Sequence, residues 1–133
     1  MDLLLSRVVS HRELTAILSS VLGVSSATIT CVDGHEDLPA VATPVACVVY
    51  MRGGEFPEQV TLILPPELEP VDLDAEILLA KSVAGLLGAD VLAVDDSANP
   101  YVMLHVSRSG ATAIASLDAE ALDERGEYRI VRK

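Results

Sequence analysis

The sequence predicts a single α+β domain spanning residues 1–133, with two layers. Two main helices should cover one face of a largely antiparallel sheet of five to seven strands. Three observations support this fold class. Half of the residues are hydrophobic and no linker or low-complexity segment divides the chain, so one core can form. Two segments have the apolar periodicity of amphipathic helices, and short β-branched runs are joined by short links. The predicted order is α-β-β-β-α-β-β-β.

The first helix is predicted to begin at a capping box, Ser10-His11-Arg12-Glu13. In this motif the Ser hydroxyl and the Glu carboxylate satisfy each other's free backbone N–H groups. One apolar stripe follows at helical spacing, and Gly23 marks the predicted C-terminal stop. The stripe consists of Leu14, Ile17, Leu18, Val21 and Leu22.

The second helix should follow the proline-rich segment PPELEP. Asp72 or Asp74 lies near its predicted N-cap, and the helix should end at Leu87, before Gly88. Apolar residues cover about half of its circumference, which is typical of a helix lying flat on a sheet. The acidic residues of its first turn favour the helix dipole.

Short β-branched and apolar runs predict the strands. The turn Ser107-Arg108-Ser109-Gly110 indicates a tight hairpin, and Met51-Arg52-Gly53-Gly54-Glu55 opens a longer one. The link from Val94 to Tyr101 is too short for a parallel crossover, so this pair should be antiparallel. The predicted strands are Ala27–Val32, Val45–Met51, Val60–Leu64, Val91–Val94, Tyr101–Ser107, Ala111–Leu117 and, as a further candidate, Tyr128–Val131.

The chain is strongly acidic, with 20 acidic and 9 basic residues and a net charge of −11. Residues 53–107 carry ten acids against the single base Lys81, whereas residues 108–133 carry five of each. Such a charge repels nucleic acid and anionic lipid, and one Phe with no Trp leaves few platforms for stacking bases. The partner that this charge favours is a basic protein, although net charge also serves solubility.

The amino-terminal segment MDLLLSRVVS has a brief apolar run preceded by Asp2, without the basic region of a signal peptide. No apolar run approaches the ~20 residues of a membrane span. We therefore expect a cytoplasmic protein in which Cys31 and Cys47, each inside a strand-like run, are reduced and buried. A disulfide or redox pair is the alternative for these two cysteines.

The segment DDSANPY, residues 95–101, turns the chain between two apolar runs. Asp and Asn side chains bond nearby backbone groups, and Asn99 before Pro100 is held extended, so turn formation explains this composition. A partner contact through Asp95 and Asp96 is the alternative. The sequence disfavours a metal loop, because calcium-loop spacing and a phosphate-binding glycine loop are both absent.

Histidines are the remaining candidates for chemistry. His35 and the two acids after it resemble a ligand cluster, but no zinc-type pairing accompanies them, which favours a polar loop. Alternation along residues 101–107 places Tyr101, Met103 and His105 together on the sheet face away from the helices. Antiparallel sheets can leave such a face wet, and this row is either a binding surface or one more partly exposed strand.

Nucleophilic catalysis has little support in the sequence. There is no G-x-S-x-G elbow, and neither Cys31 nor Cys47 has a His or Lys beside it. A catalytic arrangement of residues that are distant in sequence remains an alternative. No cofactor is expected, and the enzyme alternative is a small metal-dependent one using His35, His105, Asp95 and Asp96.

In size, charge and element order the chain resembles two groups of bacterial proteins. Small acidic α+β domains without catalytic motifs resemble the immunity proteins of polymorphic and contact-dependent toxin systems, which bind and block a cognate toxin domain. The order α-β-β-β-α-β-β up to Ser107 is similar to that of acidic effector-type secretion chaperones. Those chaperones add a third helix, where this chain has ASLDAEALDERGEYRIVRK with at most one short turn around Asp118–Glu124. No functional residue carries over from either group.

These observations predict a non-enzymatic protein-binding module, an immunity or antitoxin-like inhibitor that docks on a basic partner protein as a monomer or homodimer. The alternatives are a chaperone-like binding protein and the metal-dependent enzyme. No metal, nucleic acid or membrane is expected as a partner. The predicted docking rim consists of Glu55, Glu58, Glu67, Glu69, Asp95 and Asp96, and the predicted anchor consists of Tyr101 and Met103 with His105 on the same face.

Overall fold

The computed structural model describes residues 1–38, 43–94 and 98–132. Within these ranges seven strands form one sheet in the order β2-β3-β4-β1-β5-β6-β7. The strands are β1 Asp2–Leu5, β2 Ile29–Asp33, β3 Val45–Met51, β4 Glu58–Ile63, β5 Val91–Val94, β6 Val102–Val106 and β7 Thr112–Ser116. The helices are α1 His11–Leu22, α2 Leu73–Leu87 and α3 Ala119–Arg125, with 3-10 turns at Ser26–Thr28, His35–Asp37 and Pro66–Leu68.

The sheet is mixed and largely antiparallel, which confirms the α+β class. Five of the six strand pairings are antiparallel. The exception is the pair β2–β3, which runs parallel with Cys31 opposite Cys47.

The predicted element order omits the first strand, β1, which lies at the centre of the sheet between β4 and β5. Leu3 and Leu5 face the main core, whereas Leu4 belongs to a cluster on the opposite face. A strand buried on both faces has a continuous apolar sequence instead of alternation, so the run of leucines carries no strand signature.

The order also differs at the other end of the chain, where the helix α3 follows β7. The Asp118 side chain caps α3 by accepting from the Ala121 N–H at 3.1 Å, and Gly126 ends it in the left-handed conformation. The predicted last strand is reduced to a single bridge between Leu117 and Ile130. The observed order is therefore β-α-β-β-β-α-β-β-β-α.

Both long helices begin at predicted caps. Ser10 Oγ accepts from the Glu13 N–H at 3.1 Å, and an Asp72 oxygen accepts from the Ala75 N–H at 2.9 Å. The reciprocal half of the predicted capping box does not form. The Glu13 carboxylate instead pairs with the Arg7 guanidinium at 2.8 Å.

Helices α1 and α2 share the main core with alternate residues of the sheet. Leu104 and Val106 of β6 belong to this core, which confirms the alternation predicted for residues 101–107. The other face over β5–β7 is not open, because Phe56 and the chain after β7 cover it. Partly buried residues of that covering chain are Leu122, Tyr128 and Ile130.

Candidate functional site

Glu58, one residue of the predicted docking rim, lies in the core. It is 2% exposed, and its Oε2 atom accepts a hydrogen bond from the Val9 N–H at 3.1 Å. The strand β4 starts at Glu58, two residues earlier than predicted, and alternation from Val60 and Leu62 turns this carboxyl group toward the helices. Burial raises its pKa, against the opposing effects of the Val9 N–H and the charge of His11. Glu58 is therefore not part of an exposed rim.

Glu55 lies in the loop between β3 and β4 and binds the carboxyl-terminal segment. One carboxylate oxygen accepts from the Ile130 N–H at 2.9 Å, and the other pairs with the Arg132 guanidinium at 2.6 Å. Its charge is thus already compensated within the chain. Asp95 and Asp96 lie outside the residues that the structure describes.

The predicted anchor residues are covered by the end of the chain. Met103 is 8% exposed and packs in the cluster with Phe56 and Leu117. The Tyr101 hydroxyl donates to Asp123 of α3 at 2.7 Å, and this bond raises the pKa of Tyr101. This row of β6 supports the packing of α3 and is not an open docking face.

His105 and His35 occupy separate parts of the sheet. His105 Nε2 lies 3.1 Å from an Asp90 oxygen, whereas the His35 ring contacts Tyr50 of β3 at a centroid distance of 5.6 Å. Three strands, β4, β1 and β5, lie between β3 and β6, so these two imidazoles do not share a site. Among the described residues, no three His, Cys, Asp or Glu side chains form a group that could hold a metal ion.

Glu67 lies in the wall of a surface groove between the two long helices. The groove has a volume of about 320 Å³, and most of its lining residues are apolar. Its lining residues are Val21 and Leu22 of α1, Glu67, Leu68 and Pro70 of the connecting segment, and Ala75, Leu78, Leu79 and Ser82 of α2.

The segment beside this groove is rich in acidic residues: Glu67 lines the groove, and Glu69 and Glu76 line a neighbouring cavity that shares Pro70 with it. Residues 67–76 contain five acids and no base, and four of these acids are exposed. In the part of the chain that the structure describes, none of the five forms an ion pair. The five are Glu67, Glu69, Asp72, Asp74 and Glu76.

Apolar side chains are exposed within the same acidic surface. Val71 is 91% exposed just before α2, and Leu78 in the groove wall is 66% exposed. Leu86, two turns after Leu78 on α2, is also exposed. Exposed apolar groups framed by charge are typical of a protein-interaction surface. Hereafter we call this set, the groove with residues 67–76, the acidic groove.

A second pocket lies between the first half of α1, the 3-10 turn that begins at Ser26, and β2. Its volume is about 380 Å³, and Cys31, His11, Arg12 and Thr15 are among its lining residues. Thr15 Oγ1 lies 3.2 Å from the Cys31 sulfur, and His11 Nε2 lies 2.8 Å from an oxygen of Asp33.

The environment of Cys31 favours its thiolate. A hydrogen bond from the Cys47 thiol lowers the pKa of Cys31 to about 6, with help from the Thr15 hydroxyl and the charge of His11 and against the effect of burial. The same bond and burial raise the pKa of Cys47. The sequence left a redox pair of these cysteines as an alternative and could not place them together, because only the parallel pairing of β2 with β3 makes them neighbours.

No protein-family model matches this chain, and no curated protein or solved structure is significantly similar to it. Within the described ranges, no helix combines the length and the apolar character that crossing a lipid bilayer requires.

Proposed function

We propose that this protein is a non-enzymatic binding module whose acidic groove receives a basic amphipathic segment of a partner protein. The observation that carries this proposal is that exposed apolar side chains and carboxylates without a described ion pair occur next to each other around the groove. Leu78 and Val71 offer apolar contact, and the five acids of residues 67–76 have no cationic partner among the described residues.

The complementary partner surface is a helix with apolar residues on one side and Lys or Arg beside them. Amphipathic helices bind in apolar grooves through side chains spaced three or four residues apart. The groove between α1 and α2 offers such a trough. Carboxylates beside the groove would accelerate the encounter with a cationic segment and select against acidic ones, while contacts with the apolar side chains of the groove would add affinity.

The finer proposal is that the partner is a basic toxin domain and that the protein acts in the cytoplasm as an immunity or antitoxin-like inhibitor. Its support is the resemblance in size, charge and α+β class to immunity proteins. Of the predicted rim residues that the structure describes, Glu67 and Glu69 belong to the acidic groove. The proposed docking surface therefore consists of these two residues and their neighbours on α2.

The alternative is a secretion-chaperone-like role, in which the groove holds a segment of a secreted protein. The helix α3 favours this reading, because such chaperones also have a third helix near the end of their element order, but here β7 precedes it. The strand β1 ahead of α1 is a departure from their element order.

A pair of charge-reversed variants tests the binding proposal. E67K/E69K changes the charge at the acidic groove, and E120K/E124K makes the same change on exposed positions of α3. The probe is a fluorescent synthetic peptide that forms a helix with Leu on one face and Lys on the other. Its fluorescence anisotropy is measured at low and at moderate salt. We expect E67K/E69K to weaken binding at least about tenfold, because both rim charges change sign, and E120K/E124K to change it less than about threefold.

Two further measurements separate groove binding from charge attraction in general. An all-Lys peptide of equal charge should bind more weakly than the amphipathic one. A pull-down from native lysate with the wild type and both variants should show which captured proteins depend on the groove. Equal binding by both variants would contradict the proposal.

A further inference from the structure

We propose that Cys31 and Cys47 form a peroxide-reactive dithiol, in which Cys31 is the attacking thiol and Cys47 closes a disulfide across β2 and β3. The proposal is independent of the acidic groove, which involves the other end of α1 and none of these residues.

The strand register permits the disulfide. Cys31 and Cys47 are direct partners in the parallel pair β2–β3. Neighbouring strands lie about 4.8 Å apart, and a disulfide needs Cα atoms roughly 4.4–6.8 Å apart. Both side chains point toward the helices, because both belong to the core between the sheet and α1 and α2. Closure therefore requires rotation of side chains and little movement of the backbone.

The two thiols differ in access. Cys31 is half-buried and lines the pocket beside His11 and Thr15, whereas Cys47 is 0% exposed. A small oxidant entering the pocket reaches Cys31 first, and Cys47 can react only with an oxidised Cys31. An accessible nucleophile with a protected partner is the arrangement that reversible thiol oxidation uses.

The polar groups of the pocket support the thiolate of Cys31. The Thr15 hydroxyl at 3.2 Å can donate a hydrogen bond to the sulfur, and His11, which contacts Asp33 at 2.8 Å, lies in the same pocket. The charged groups around the pair are Arg12 and His11 from α1, Asp33 from the end of β2 and Glu58 from β4. The lowered pKa of Cys31 agrees with this geometry.

The chemistry balances in two steps. The Cys31 thiolate attacks one oxygen of a hydroperoxide, so that an S–O bond forms, the O–O bond breaks and the departing alkoxide takes a proton from water or His11. Cys31 is then a sulfenic acid, and the peroxide is reduced to an alcohol. The Cys47 sulfur attacks the sulfenic sulfur, forming the S–S bond and releasing water with the Cys47 proton. Two thiols and one peroxide thus give one disulfide, one alcohol and one water.

The test treats the full chain with one equivalent of hydrogen peroxide at pH 7 and then alkylates the remaining thiols. In the wild type we expect a loss of two thiols, a mass lower by two hydrogens and a Cys31–Cys47 linked peptide in a non-reducing digest. The C47A variant should accumulate a dimedone adduct on Cys31, whereas the C31S variant should give none. The rate for the wild type should exceed that of N-acetylcysteine at least about tenfold.

The H11N variant provides a positioning control with a pH readout. Loss of the imidazole should slow oxidation at least about threefold and shift the pH profile of the rate upward, while leaving the disulfide mass unchanged. If C47A does not fold, disulfide mapping in the wild type and the C31S variant still decides the question. Disulfides only between molecules, a rate equal to that of N-acetylcysteine, or loss of Cys31 alone would overturn the proposal.

Discussion

The carboxylate of Glu58 and the backbone N–H of Val9 are joined by a 3.1 Å hydrogen bond inside the main core. Val9 immediately precedes Ser10, the N-cap of α1, so this bond fixes the start of the helix against β4. The raised pKa of Glu58 shows that the core disfavours its charged form. The bond therefore positions α1 at a cost in stability near neutral pH.

Replacing Glu58 by Gln should stabilise the protein at pH 7 by about 1 kcal/mol, because the amide oxygen can keep the Val9 bond without a buried charge. The pKa of Glu58 is higher in the folded chain than in the unfolded chain. The stability that Glu58 contributes is thus fully present below its pKa in the unfolded chain and is lost as the pH rises through its pKa in the folded chain. Urea unfolding between pH 4 and pH 8 should show this decline in the wild type and a flatter profile in E58Q.

The variant E58A is the matched control for E58Q. It removes the acceptor and leaves the Val9 N–H unsatisfied beside a cavity, so we expect a loss of about 2–3 kcal/mol at pH 7. Equal losses in E58Q and E58A would show that the charge itself stabilises the core, contrary to the expectation.

Local chemistry made much of this fold predictable. The caps at Ser10 and Asp72, the stops at Gly23 and Gly88, and the alternation of β6 all depend on residues close together in sequence. The strand β1 could not be recognised in this way, because its central position in the sheet removes the alternation that marks a half-buried strand.

The candidate site was less predictable because it depends on register and on distant pairing. A β4 strand that began at Val60, as predicted, would leave Glu58 in the loop. Pairing with Leu5 of β1 and Met51 of β3 extends the strand to Glu58, and alternation then turns its side chain inward. Cys31 and Cys47 are 16 residues apart, and only a parallel crossover makes them neighbours. Net charge identified an acidic segment, but it could not show which carboxylates already have partners in the chain.

We expect the ionised Asp90 carboxylate to stabilise the β6–β7 hairpin at pH values above the pKa of Asp90 in the folded chain. Its carboxylate accepts from the Arg108 N–H at 3.1 Å and lies 3.1 Å from His105 Nε2. Burial opposes ionisation, but these two partners outweigh it and lower the pKa of Asp90. The stability that it contributes is present above the unfolded pKa and is lost as pH falls through the folded pKa.

We accordingly expect D90N to lose about 1 kcal/mol at pH 7 and to approach the wild type in strong acid. Thermal unfolding at pH 7 and at pH 3 measures both effects. D74N makes the same Asp-to-Asn substitution at an exposed position of α2, and it should leave the unfolding temperature nearly unchanged. A D90N deficit that persists undiminished at pH 3 would contradict the assignment to charge.

Leu78 should contribute to partner binding and little to the stability of the fold, because it is 66% exposed in the wall of the acidic groove. We expect L78S to change the free energy of unfolding by less than about 0.5 kcal/mol and to weaken binding of the amphipathic peptide about tenfold. I114S is a matched control, because Ile114 is 64% exposed on β7, away from the groove. Equal effects of L78S and I114S on peptide binding would argue against the groove.

The alkylation rate of Cys31 should report the charge state of its thiol. With a pKa of about 6, the iodoacetamide rate should reach half of its plateau near pH 6, whereas an ordinary thiol does so near pH 8.5. Because the hydrogen bond from Cys47 has the largest effect, C47A should move the midpoint upward more than T15V, which removes only the hydroxyl at 3.2 Å. Cys47 itself should react only after unfolding, since it is buried. A wild-type midpoint at the ordinary value, or equal midpoints in the wild type and C47A, would show that the two thiols do not interact in the folded chain.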